Sequence, residues 1–139
     1  MPSPYVQNYG LTTVTAATLT ITPEAYAGQT IVSNLAATQT FTLPAATGSG
    51  NRYEIVVLTT KTGDLVIQAA SSSDTMIGYA LLAADGGDTA VMFATAATTD
   101  TVTLDGTTTG GITGAKVKLQ DIASGKWSVE VISDASGTE

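Results

Sequence analysis

The sequence contains no cysteine and no histidine among its 139 residues. The absence of cysteine excludes disulfide bonds and thiolate metal sites. The absence of histidine removes the side chain that most often serves as a general base and as a transition-metal ligand. Serine and threonine are plentiful, but no histidine is available to activate one of them as a nucleophile. We therefore expect a protein that is not an enzyme and that holds no metal and no cofactor.

Positive charge is also scarce. The chain has five Lys and Arg residues against 12 Asp and Glu residues, which gives a formal net charge of -7, and only 12% of its residues are charged. Five scattered cations cannot form the basic patch that binding to a phosphate backbone requires, so we expect no nucleic-acid partner. The acidity is interpreted as an aid to solubility.

Long apolar runs are missing as well. No stretch has the length and apolarity of a membrane span, so no membrane partner is expected. The N-terminus, Met1-Pro2-Ser3-Pro4-Tyr5, lacks the basic region and the apolar run of a signal peptide. We therefore expect synthesis in the cytoplasm of the producing cell, with release by lysis or assembly.

What the sequence does contain is the alternation of polar and apolar residues that is typical of strands. The predicted strands, some of them alternating and some of them short apolar runs, are residues 18–22, 29–33, 39–43, 52–59, 65–67, 76–82, 90–93, 101–104, 116–119 and 126–131. These about nine or ten short strands have a spacing that favours a sandwich or barrel over βαβ units. We predict an all-β fold: a single compact antiparallel β-sandwich or barrel-like (jelly-roll-like) domain over residues 11–139, preceded by an N-terminal arm over residues 1–10.

Several local features refine this prediction. Thr62-Gly63-Asp64 is expected to be a hairpin turn, and Ser124-Gly125 a hairpin that pairs the last two strands. The run Ile55-Val56-Val57-Leu58 is apolar at every position, which predicts a strand covered on both faces. Gly78 interrupts residues 76–82 and predicts a bulged strand or a strand pair. Residues 23–28, which begin with Pro and end with Gly, fit one helical turn.

Few residues are candidates for chemistry. Glu54 and Glu130 lie in predicted strands, but both alternate away from apolar neighbours, so solvated strand residues are a better interpretation than an acid–base pair. Asp85-Gly86-Gly87-Asp88 offers too few oxygens for calcium and is already a good turn sequence. Aromatic side chains leave one alternative open, a carbohydrate-binding module. Its candidate exposed residues are Tyr5, Tyr9, Tyr26 and Tyr79.

Three strings in the sequence carry a resemblance to a known group of proteins. They are residues 41–50 with 53–57, residues 83–93, and residues 101–111 continuing to 120–122 and Lys126-Trp127. In their order and spacing these strings resemble small proteins encoded among the structural genes of tailed phages, namely capsid decoration and head-fibre proteins. The resemblance covers roughly residues 12–139. It carries over no catalytic or binding residues, because the shared positions mark the fold.

The resemblance implies a capsid decoration (cement) protein on the outer surface of the virion head, which binds the major capsid protein and stabilises the capsid, with a homotrimer expected. Related strings also occur in tail-fibre and baseplate proteins, so an adhesion module that binds host surface glycan is the alternative function. Tyr5, Val6 and Tyr9 give the N-terminal arm an aromatic and apolar character. We expect these three residues to contact a neighbouring subunit or the capsid.

Overall fold

The computed structural model describes residues 10–84 and 89–135 and arranges them in two stacked β-sheets. The elements are β1 (Leu11–Val14), β2 (Thr18–Thr20), α1 (Pro23–Tyr26), β3 (Thr30–Ser33), β4 (Gln39–Thr42), β5 (Arg52–Val57), β6 (Leu65–Gln68), β7 (Thr75–Ala84), β8 (Thr89–Ala94), β9 (Thr101–Leu104), β10 (Lys116–Ala123) and β11 (Lys126–Ala135). The larger sheet has the order β1-β3-β5-β10-β11-β7-β8, and the smaller sheet has the order β2-β4-β6-β9. The predicted all-β, sandwich-like fold is confirmed, and β1 is the strand that the sequence pattern missed.

The N-terminal half winds as a parallel roll. After each strand the chain crosses to the other sheet, so β1, β3 and β5 become parallel neighbours in one sheet and β2, β4 and β6 in the other. With the parallel pair β7 and β11, five of the nine strand pairings are parallel. The antiparallel pairing predicted for the sandwich is therefore present in four of the nine strand pairs and was wrong for the other five, because alternation reveals a strand but not its partner.

Thr62-Gly63-Asp64, the loop between β5 and β6, also differs from the prediction. The three residues do not form a hairpin, since β5 before them and β6 after them lie in different sheets. The backbone N–H groups of Thr62 and Gly63 instead donate to the carbonyl oxygen of Ala36, at 2.8 and 3.1 Å. This loop thus stacks on the preceding crossover, and the backbone groups of successive crossovers satisfy one another.

The C-terminal half closes the larger sheet. β10 and β11 form the predicted antiparallel hairpin around Ser124-Gly125, with Val117 opposite Val131. β7 is one continuous strand that pairs in parallel with β11 along ten residues, so the predicted bulge or strand pair at Gly78 is not present. Gly78 is required for a steric reason: a Cβ atom at this position would lie 1.7 Å from the carbonyl oxygen of Val129.

The core lies between the two sheets and follows the alternation. Its largest fully buried side chains include Trp127 and Ile55 from the larger sheet and Phe41 and Ile67 from the smaller one. On β5 only the inner residues are buried, while Glu54 and Val56 are half-buried on the outer face. The prediction that this strand is covered on both faces was wrong, because no third layer lies over the larger sheet in the described part of the chain.

The short helix α1 forms as predicted. Pro23 occupies its first turn and Gly28 follows its end with φ of +72°, a conformation that glycine adopts without strain. Tyr26 at the end of α1 packs against the core and is half-buried. Within residues 10–84 and 89–135, none of the helical structure is long and apolar enough to cross a membrane.

Candidate interaction surface

The two sheets end unevenly at one side of the sandwich. The larger sheet ends at β8, whereas the smaller sheet ends at β9, so β8 extends beyond its cover. Five of the six residues of β8 are exposed and Val91 is only half-buried. We call β8 and residues 78–84 of β7 the overhang. A strand with the sequence Thr-Ala-Val-Met-Phe-Ala is apolar on both faces, and such a strand is normally covered.

An apolar patch, which we call the outer patch, lies on the outer face of the overhang and continues onto the adjoining residues of β7 and β11: Ile77, Tyr79, Leu81, Met92 and Ile132. Leu81 pairs with Ile132 on one side and with Met92 on the other, so these side chains form a continuous row across three strands. The five residues are between 38% and 64% exposed. Five adjacent apolar residues with this exposure form a contiguous patch of roughly a few hundred Å², an area at which surface patches on monomers are often functional.

The inner face of the overhang borders a groove of about 430 Å³ between the two sheets, which we call the inner groove. Phe93 lines this groove and is 51% exposed. Ala80 and Leu82 on β7 and Val102 on β9 line its walls. No residue lining the groove is charged. The inner groove is therefore a gap in the sandwich core that is open to solvent.

Both strands that border the gap have one edge with no partner strand among the described residues, since β8 and β9 are the last strands of their sheets. Thr95 donates its N–H to the carbonyl oxygen of Gly78. Because the N–H direction alternates along a strand, those of Ala94, Met92 and Ala90 point to the open edge. Unpaired strand edges are templates for pairing with another chain.

The candidate acid–base residues lie elsewhere, on the middle of the outer face. Glu54 and Glu130 are directly opposite Lys118, one on each side. Two strand spacings separate the carboxylate-bearing residues, about 10 Å between their Cα atoms. Glu54 is half-buried and Glu130 is exposed. This placement on an open sheet face agrees with the interpretation of both as solvated strand residues.

A buried polar cluster was missed by the sequence reasoning. Lys61 is only 2% exposed, and its Nζ donates to the carbonyl oxygen of Leu35 at 2.6 Å and to Oε1 of Gln39 at 2.8 Å. Gln39 is fully buried and donates from Nε2 to the carbonyl oxygens of Val14 and Ala16. Burial lowers the pKa of Lys61 to about 8. The cluster ties the crossovers of the parallel roll together, which is a structural role.

A second buried group, Asp121, fastens the loop between β4 and β5. Its carboxylate accepts hydrogen bonds from the backbone N–H groups of Thr47, Gly48 and Ser49 and from the hydroxyls of Thr47 and Ser49. Burial by itself raises the pKa of Asp121, but these hydrogen bonds favour the charged form and lower it to about 2. All five bonds hold the chain's own loop, so Asp121 stabilises the fold.

Several predicted features fall outside this description. Tyr5, Val6 and Tyr9 lie outside the described residues, as does the Asp85–Asp88 turn, although the strands on either side of that turn pair as a hairpin. Of the described candidates for sugar binding, Tyr79 is exposed and Tyr26 is half-buried. Among the described residues no group of three or more His, Cys, Asp or Glu is placed to hold a metal ion.

The signal for the overhang was present in the sequence as Ala90-Val91-Met92-Phe93, a strand that is apolar on both faces. The sequence pattern does not reveal, however, that this strand lies at the end of a sheet. Comparisons of the chain with models of protein families, with curated proteins and with solved structures find no match.

Proposed function

We propose that this chain is a non-enzymatic structural protein of a tailed-phage virion, a capsid decoration protein that binds the outer surface of the head and stabilises the capsid. Residues 41–50, 53–57, 83–93, 101–111 and 120–122, with Lys126-Trp127, resemble such proteins, and this resemblance supports the proposal. The one structural observation that supports it is the outer patch, an apolar surface of the size that protein partners cover. The major capsid protein is the proposed partner.

The outer patch is rigid and apolar, which suits a contact that is repeated many times on the capsid surface. Its apolar residues lie on three hydrogen-bonded strands, so little conformational freedom is lost when they are covered. The polar rim includes Ser128 and Glu130, which border the same depression of about 540 Å³. A rigid apolar centre with a polar rim is the usual anatomy of a protein–protein interface.

The test uses heads assembled without this protein, taken from the phage whose genome encodes the chain. Purified protein is mixed with the heads, the heads are sedimented, and the bound copies per head are counted. We expect saturable binding at a fixed number of copies. Absence of binding to heads, together with recovery of the protein on tails, would overturn the proposal.

A matched pair of variants locates the contact. Leu81→Glu places a charge at the centre of the outer patch, between Ile132 and Met92, where the side chain is 38% exposed. Ile122→Glu places the same charge outside the patch at 43% exposure. A charge buried without a partner in an interface costs several kcal/mol, so Leu81→Glu is expected to weaken head binding at least about 100-fold. Ile122→Glu is expected to bind like the unmodified chain, and equal binding by both variants would remove the outer patch from the proposal.

One observation favours a second function, an adhesion module that binds host surface glycan. Tyr79 is 59% exposed in the outer patch and lies opposite Glu130 on the neighbouring strand. An exposed aromatic ring beside a carboxylate can stack on a sugar and accept hydrogen bonds from its hydroxyls. Binding to immobilised host glycans that is lost in Tyr79→Ala, combined with no binding to heads, would favour this function.

A further inference from the structure

We infer that two copies of this chain associate through the overhang, each filling the inner groove of the other, in place of the homotrimer that the resemblance implies. The two sheets are unequal, because the larger sheet extends one strand further than the smaller sheet at the overhang. A sandwich in which one layer extends past the other at one end is complementary to itself under a twofold axis that runs between the layers along the strands. The overhang of one copy then lies where the smaller sheet of the other copy ends.

The strand edges match in this arrangement. β8 of one copy comes to lie beside β9 of the other, and the symmetry axis repeats the same contact with the roles exchanged. Each of these strands has an edge without a partner among the described residues. The open-edge N–H groups at Ala90, Met92 and Ala94 obtain carbonyl acceptors from the partner's β9. The dimer thereby extends both layers into continuous sheets and removes two free edges.

The side chains match as well. Phe93, which is 51% exposed in one copy, packs against Val102 and against Phe93 of the other copy inside the closed gap. The copies share a formal net charge of -7, so they repel each other wherever acidic residues meet. The residues of the inner groove and of β8 carry no charge, so two identical acidic chains can meet there without bringing carboxylates together.

The contact is smaller than a standard interface. Leu82, Leu104, Val129 and Val131 are already buried in the single chain. Without them, β8, β9 and the lining of the inner groove contribute roughly 15 residues per copy, against the 20–30 of a standard interface, so a weak dimer that forms at micromolar concentration is expected. The outer patch faces away from the gap and stays available for a different partner. Self-association and head binding therefore use opposite faces of the overhang.

The mass of the full chain in solution tests this inference without any capsid. We expect sedimentation equilibrium to give twice the chain mass of 14.0 kDa at micromolar concentration. Phe93→Glu is expected to raise the dimer dissociation constant at least about 100-fold, because it places two carboxylates in the closed gap. Leu58→Glu, at a side chain that is 52% exposed away from the overhang, is the matched control and is expected to remain dimeric.

A second variant tests the strand edge. Ala94→Pro removes an N–H that points to the open edge and leaves the hydrogen bond from Thr95 to Gly78 in place, so it is expected to weaken the dimer while the circular dichroism spectrum is retained. A monomer at all concentrations, a trimer, or a dimer that is unaffected by Phe93→Glu would each overturn the inference. Failure of head binding alone would overturn only the proposed function.

Discussion

The buried ammonium group of Lys61 predicts an unusual dependence of stability on pH. In the folded chain its pKa is lowered to about 8, from 10.5 for an unperturbed lysine, because burial disfavours the charged form. Between pH 8 and pH 10.5 the unfolded chain therefore binds more protons at this residue than the folded chain does. Stability rises with pH wherever the unfolded state binds more protons.

The magnitude follows from the two pKa values. Below pH 8 both states carry the proton and the contribution of Lys61 does not change with pH. Between pH 7 and pH 9.5 the free energy of unfolding is expected to increase by about 2 kcal/mol, approaching the limiting slope of 1.36 kcal/mol per pH unit. The pH range ends there because burial raises the pKa of Tyr53 from its ordinary value, and this shift makes stability fall at higher pH, where tyrosine ionises in the unfolded chain.

The assay is urea unfolding at intervals of half a pH unit from 7 to 9.5, followed by fluorescence. Trp127 is the only tryptophan and is fully buried, so its emission reports unfolding directly. Lys61→Met keeps an unbranched chain of similar length and is expected to abolish the rise in stability. Lys116→Met, at an exposed lysine in a strand, is expected to retain it. A rise of equal size in Lys61→Met and in the unmodified chain would refute the reasoning.

Two further predictions concern the fold. Asp121 has a pKa of about 2 in the folded chain against about 3.9 when unfolded, so it contributes about 2–3 kcal/mol at neutral pH, which is lost as the pH falls from about 4 to 2. The free energy of unfolding of Asp121→Asn should therefore depend less on pH in this range than that of the unmodified chain. An unchanged pH dependence would contradict the assignment. Gly78→Ala should cost at least about 2 kcal/mol by thermal unfolding, because its Cβ would clash with Val129, whereas Gly28→Ala, where nothing lies within 4 Å, should cost less.

The sequence predicted most of the strands because most of them bury one face. In β10 the alternation of Lys116, Val117, Lys118 and Leu119 is matched residue by residue by exposure and burial. The hairpin at Ser124-Gly125 was predictable for a similar reason, since its turn and its two strands are contiguous in the chain. The pattern within each segment is enough to predict these elements, without reference to residues far away in the chain.

The parallel roll and the overhang could not be predicted in this way. Thr30 pairs with Leu11 and with Glu54, and nothing in its own segment identifies either partner. Burial of Lys61 depends on Gln39 and on the carbonyl group of Leu35, which the fold brings together across more than 20 residues. The exposure of Phe93 depends on a strand that the smaller sheet does not have. Each of these features is a property of the assembled sheets.

The position of β11 has a consequence for how the chain folds. This strand lies between β10 and β7, and in the described residues it is the only connection of β7 and β8 to the rest of the larger sheet. It follows the other described strands in the chain, and its pairing joins Lys126 to Thr75. Contacts between residues so far apart in sequence form slowly, because a long loop must close first. During translation the β7–β8 hairpin therefore cannot join the larger sheet until residues 126–135 have left the ribosome.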